Sequence, residues 1–101
     1  MSREYTNYQT LVQAKQKIMA EFEEKKRAVR ERDAINKRLG DTFQGEAATA
    51  YEAASSALIN AIDTEQVKAS NKLDKDIATW YDRLDDAEKR SAQEFREKIG
   101  L

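Results

Sequence analysis

The sequence predicts an all-α protein: two long antiparallel helices in a hairpin, pairing into a four-helix bundle. Three observations carry this. The 101 residues contain no proline and three glycines. Alanine, glutamate, lysine, arginine and glutamine are good helix formers, they dominate the chain, and no segment alternates β-branched residues as a strand would. Apolar residues recur at steps of three and four on both sides of a single break.

The first helix is expected over about residues 3–39. Its apolar positions are Tyr5, Tyr8, Leu11, Val12, Ile18, Met19, Phe22, Val29, Ile35 and Leu39. The stripe thins at Lys25-Lys26-Arg27, which reads as a solvated face with weaker packing. The turn is expected over about residues 40–45. Gly40 suits the left-handed conformation that ends a helix, and Asp41 or Thr42 can cap the next one. The second helix is expected over about residues 46–98, with Gly100 as its stop. Its stripe is Ala47, Tyr51, Ala54, Leu58, Ile62, Ala69, Leu73, Ile77, Trp80, Leu84, Ala87 and Phe95. The whole chain, 1–101, reads as a single domain.

Folding at about residues 41–43 makes the numbers of facing residues add to roughly 85. Tyr5 then faces Trp80, and Tyr8 faces Ile77. Helix two is the longer one, and its last ~15 residues would project about 20 Å past helix one. Two helices alone leave apolar faces uncovered, so a helical partner is expected, either a second copy or a different protein. Tyr5, Tyr8, Phe22, Tyr51, Leu58, Ile62, Leu73, Ile77, Trp80 and Leu84 are the expected packing and interface residues.

Composition excludes several functions. With neither cysteine nor histidine there are no thiol nucleophiles, no disulfides and no zinc site built from those ligands. The commonest general acid-base residue is missing as well. The net charge of −1 argues against a polyanion binder. Residues 1–39 carry ten Lys/Arg against six Asp/Glu, and residues 40–101 carry eight against thirteen. Such opposed halves suit helices lying against one another. The basic run at residues 25–32 is interleaved with acids and has no aromatic platform, so nucleic acid is not expected. The acids Asp82, Asp85, Asp86 and Glu88 lack calcium-loop spacing, so no metal or other cofactor is expected, and no catalytic pair either. No apolar run reaches the length of a membrane span, so no direct membrane insertion is expected. Met1-Ser2-Arg3-Glu4-Tyr5 lacks the apolar core of a cleaved signal peptide.

Two short motifs stand out. Phe43-Gln44-Gly45 occupies the break. Tyr81 is followed four residues later by Asp85, which would put both on one helix face. Together, in a proline-free hairpin of this length, they resemble the WXG-type family of small type VII secretion proteins. The resemblance covers the chain in architecture but rests on about five residues, and phenylalanine stands where the family has tryptophan.

The resemblance implies several things. Tyr81 and Asp85 would be the signal read by the secretion machinery, including its ATPase. Phe43 and Gly45 would shape the turn and complete that signal beside the mate's tail. The protein would be cytoplasmic before export, then secreted or at the cell surface. It would act as a homodimer, or as a targeting chaperone bound to the helical N-terminal region of a larger LXG-type toxin. A plain coiled-coil module outside secretion would explain the periodicity but not the motifs. An enzyme is not expected.

Overall fold

The structure, a computed structural model, describes residues 2–38 and 46–100. Three helices make up the described chain: α1 (Arg3–Arg38), α2 (Glu46–Asp82) and α3 (Asp86–Ile99). The protein is therefore all-α, as its composition predicts. The expected turn, with Gly40, Asp41, Thr42, Phe43 and Gly45, lies outside the described residues.

The expected second helix, about 46–98, is two helices. α2 ends in a tight turn in which the Arg83 N–H donates to Trp80 O (3.2 Å) and the Leu84 N–H to Tyr81 O (3.0 Å). Asp85 then takes an extended backbone, φ −76° and ψ 174°, and caps α3. Its carboxylate accepts from the Glu88 N–H at 2.8 Å, while the Glu88 carboxylate accepts from the Asp85 N–H at 3.4 Å. This reciprocal pair is a capping box, which satisfies two of the unpaired donors at a helix start. Asp86 and Glu88 lie in the first turn of α3 and Arg96 and Lys98 in the last, each complementing the helix dipole. Gly100 ends α3 with φ 75°, its N–H donating to the Arg96 and Glu97 carbonyls, so the expected stop is found there.

Contacts divide the chain into two compact units, Met1–Met19 with Lys68–Leu101, and Ala20–Val67. In unit one, α3 does not project past α1 as expected but folds back along it. Ser2 Oγ accepts from the Tyr5 N–H at 3.1 Å, capping α1, and donates to Glu88 at the start of α3. At the far end of α3, Gln16 Nε2 donates to Ile99 O at 3.4 Å. The reason for the return is the apolar stripe of α3. Ala92, Phe95 and Ile99 fall three and four residues apart, and folding back packs them against Tyr5, Tyr8, Val12, Ile77 and Leu84. As an extension of α2 they would stay in water, forgoing about 25 cal/mol for each Å² of apolar surface.

Unit two consists of residues 20–38 of α1 and the first part of α2. Its one buried residue among those described is Lys26. Lys26 Nζ pairs with Glu23 Oε1 at 2.8 Å and with Asp63 Oδ1 at 2.9 Å. Gln66 Nε2 donates to the same Glu23 oxygen at 3.1 Å. Lys26 is thus no part of a freely solvated face, as its sequence neighbourhood suggested.

The helices of each unit run antiparallel, but in a different register from the expected one. In unit one Lys15 pairs with Asp74, and the Tyr8 and Tyr81 rings meet at 5.9 Å. In unit two Lys26 faces Asp63, Glu23 faces Gln66, and Lys37 approaches Glu52 at 3.9 Å. Each of these pairs of residue numbers adds to 89 rather than 85. The expected register would have set Lys26 opposite Ile59, Glu23 opposite Ile62 and Lys15 opposite Ser70. Each of those side chains would then have lost its partner on α2. Tyr8 accordingly meets Tyr81 in place of facing Ile77. Trp80 packs against the cluster containing Tyr5, and its ring also carries the Arg83 guanidinium at 4.5 Å.

Two outcomes follow from these contacts. Asp85→Ala should cost about 1 kcal/mol by removing the cap, and Leu84→Ala about 2–5 kcal/mol by opening the core beneath the corner. Urea unfolding monitored by circular dichroism measures both. The second concerns pH. Hydrogen bonds from Lys26 and Gln66 hold Glu23 below the usual carboxylate range. Hydrogen bonds to Asp63 and Glu23 hold Lys26 above the usual lysine value. The stability Glu23 contributes is present above the unfolded carboxylate pKa and is lost as pH falls through its lowered value. That of Lys26 is present below the unfolded lysine pKa and is lost as pH rises through its raised value. The melting temperature should hence be level around neutrality and fall on both flanks, and Lys26→Gln should blunt both falls in a pH series of thermal melts.

Candidate recognition site at the α2–α3 corner

Tyr81 and Asp85 do not share a helix face. The chain leaves the helical path at Arg83-Leu84, so Tyr81 closes α2 while Asp85 opens α3. Tyr81 is half-buried. Its hydroxyl accepts from Gln93 Nε2 at 3.2 Å, Lys89 Nζ lies 5.5 Å from its ring centroid, and the Tyr8 ring packs against it. Asp85 is exposed, with one carboxylate oxygen held by the cap. Both residues of the expected signal therefore also hold α3 in place.

Beside this corner, within unit one, is a cleft of about 460 Å³. Tyr8, Ile77 and Tyr81 form its apolar wall, and Lys15, Asp74, Asp82, Gln93 and Arg96 its polar one. Lys15 and Asp74 neutralise each other as an ion pair. Tyr8 is fully buried and its hydroxyl has no hydrogen-bond partner. Burial pushes the Tyr8 hydroxyl above the usual tyrosine pKa, with smaller contributions from Tyr81 and Tyr5. The Arg96 guanidinium pulls the other way but does not prevail, and it meets the hydroxyl off the geometry of a good hydrogen bond.

The other expected packing residues divide between the units. In unit one Tyr5, Ile77 and Leu84 are buried with Tyr8, while Leu73 and Trp80 are half-buried. In unit two Phe22, Tyr51 and Ile62 are half-buried and Leu58 is 46% exposed. Val29, Arg32, Tyr51, Ala54 and Leu58 line a shallow groove of about 140 Å³ there. Phe43 and Gly45 lie outside the described residues. Among the described residues no group of three acidic side chains is arranged to hold a metal ion.

Sequence reasoning missed the cap, although Asp85-Asp86-Ala87-Glu88 has the spacing of a capping box. It also missed Arg96 and Gln93, which no local pattern distinguishes from other polar residues of a charged helix. No protein-family model matches the chain, and no curated protein or solved structure matches it.

The buried Tyr8 hydroxyl generates a prediction of its own. Tyr8→Phe removes an unsatisfied polar atom while keeping the ring, and should raise stability by about 1 kcal/mol. Chemical denaturation of the two proteins side by side measures it.

Proposed function

We propose that the chain is a small helical protein of a bacterial type VII secretion system, exported as or together with a helical dimer. The observation that carries the dimer is unit two. Among its described residues it buries no apolar side chain, and Ile35, Leu58 and Val67 are 55%, 46% and 59% exposed. Half-buried Phe22, Val29, Tyr51 and Ile62 accompany them. Two helices with such faces gain most of their stabilisation from a second pair of helices, which is the logic of a four-helix bundle. None of the helices described is long and apolar enough to cross a membrane.

Assignment to secretion rests on the Tyr81…Asp85 spacing and on Phe43-Gln44-Gly45. In this reading the exposed Asp85 carboxylate and the Tyr81 ring beside it are the features offered to the export machinery. The solution mass from light scattering tests the dimer. Twice the monomer mass of 11.6 kDa supports self-pairing. A monomer of low helicity points to the alternative partner, the helical N-terminal region of a larger LXG-type toxin.

Export itself calls for a variant that spares the fold. Tyr81→Ala would also remove a ring that α3 packs on, so it is a poor choice. Asp85→Asn keeps a good capping side chain and removes only the charge, with a stability change of a few tenths of a kcal/mol at most. In a bacterium carrying the system, the Asp85→Asn protein should accumulate inside the cell and disappear from the medium. Undiminished export of Asp85→Asn and of Tyr81→Phe together would defeat the secretion reading.

A further inference from the structure

One face of unit two is apolar, and its charges are sorted by helix. On α1, Phe22, Lys25, Val29 and Arg32 follow one another at steps of three and four, so they share a side. On α2, Tyr51, Ala54, Leu58, Ile62 and Glu65 do the same. Val29 and Arg32 meet Tyr51, Ala54 and Leu58 around the shallow groove of about 140 Å³, which sets both rows on one face. The α1 row carries the exposed cations Lys25 and Arg32, with Lys25 lying 5.5 Å from the Phe22 ring centroid. The α2 row carries the exposed acid Glu65. The wider stretches have the same signs. Residues 20–38 hold seven Lys/Arg against five Asp/Glu, and residues 46–67 hold four Asp/Glu and no Lys/Arg. We propose that unit two pairs through this face with unit two of a second copy, α1 of each lying over α2 of the other and Lys25 of each meeting Glu65 of the other.

Two antiparallel helix pairs related by a two-fold axis can stack face to face in two ways. A head-to-tail pair sets α1 on α1 and α2 on α2. Lys25 and Arg32 lie at nearly equal distances on either side of Val29, the middle of the α1 stretch, so stacking centred there sets cation against cation. An axis running along the helices instead sets α1 on the second copy's α2 and keeps equal heights together. In the observed register, whose facing numbers add to 89 as for Lys26 and Asp63, Lys25 is level with residue 64, one step from Glu65. Cation and acid then meet twice, once on each side of the axis. Leu58 is level with residue 31 and lies over Val29 and Arg32 of the second copy, covering the groove. This departs from the head-to-tail pairing that the resemblance implies. It rests on the dimer of the proposed function and not on the export signal. A face of this length is about 28 Å by 20 Å, so the dimer buries roughly 1,100 Å² in all, at the lower edge of specific interfaces.

Sedimentation equilibrium of the full chain tests it, with circular dichroism to confirm that each variant is folded. For so small an interface the dimer Kd should be on the order of 10 µM. Lys25→Glu sets acid against acid twice and should weaken the dimer about tenfold, as should Glu65→Lys. The two substitutions together should return the Kd to within about threefold of the original. Head-to-tail stacking reverses the sign, because an acid at position 25 would meet Arg32 and tighten the dimer. Leu58→Gln, at a position 46% exposed in one copy, should stay helical and weaken the dimer at least ~10-fold. The proposal is overturned if the chain stays monomeric up to about 500 µM. It is equally overturned if Lys25→Glu leaves the dimer unchanged or tightens it, if the double variant is not restored, or if Leu58→Gln dimerises unchanged. Only the monomeric outcome also removes self-pairing from the proposed function, and export of Asp85→Asn decides the secretion reading separately.

Discussion

The return of α3 across unit one is the feature on which the ordered core depends. Two antiparallel helices touch along one line and leave most of each surface in water. A third helix laid in their groove turns that line into a core. The two units make the comparison within one chain. Where α3 is present, Tyr8 and Val12 are almost wholly buried and six apolar residues form a cluster. Where only α1 and α2 contribute, the described residues bury a lysine and no apolar side chain. Composition does not explain the contrast, since Phe22, Tyr51, Leu58 and Ile62 are as apolar as anything in unit one. Coverage explains it.

Coverage is in turn secured by a corner built without glycine or proline. Asp85 and Glu88 satisfy the first donors of α3, Leu84 is drawn inward, and Ser2 ties the start of α1 to Glu88. Tyr81 and Asp85 sit on either side of this corner, so the residues with the clearest recognition chemistry are also structural. An exposed carboxylate with one oxygen in a cap keeps its second oxygen for a partner. A tyrosine held by Gln93 and Lys89 is presented in a fixed orientation rather than sampled. In the proposed export reading, this fixed arrangement would lower the entropy cost of being recognised.

Helix formation was legible in the sequence because it is a local property. The three-and-four periodicity and the lack of breakers needed no knowledge of the fold. The break before α3 was legible in principle, since Asp85-Asp86-Ala87-Glu88 spells a capping box, but the apolar stripe continues through Leu84 and Ala87 and hides it. The register was lost for a different reason. The expected turn was placed by its glycines, whereas pairing is set by charges far apart in sequence. Matching Lys15, Lys26 and Lys37 to the acids Asp74, Asp63 and Glu52 gives one common sum, and it differs from the expected one by a full turn of helix. The cleft was not legible at all. It needs Tyr8, Tyr81 and Arg96 from three helices, and no motif joins them.

The Lys26 cluster makes sense in this light as the counterpart of the unit-one core. Apolar faces alone can slide along one another by a turn at little cost, because one aliphatic residue replaces another. A charge cannot. Shifting α2 by four residues in either direction would set Lys26 against Ile59 or Val67, leaving its ammonium group with Glu23 alone. In unit one, interlocking rings and a third helix fix the alignment. In unit two the lysine, two carboxylates and a glutamine do so.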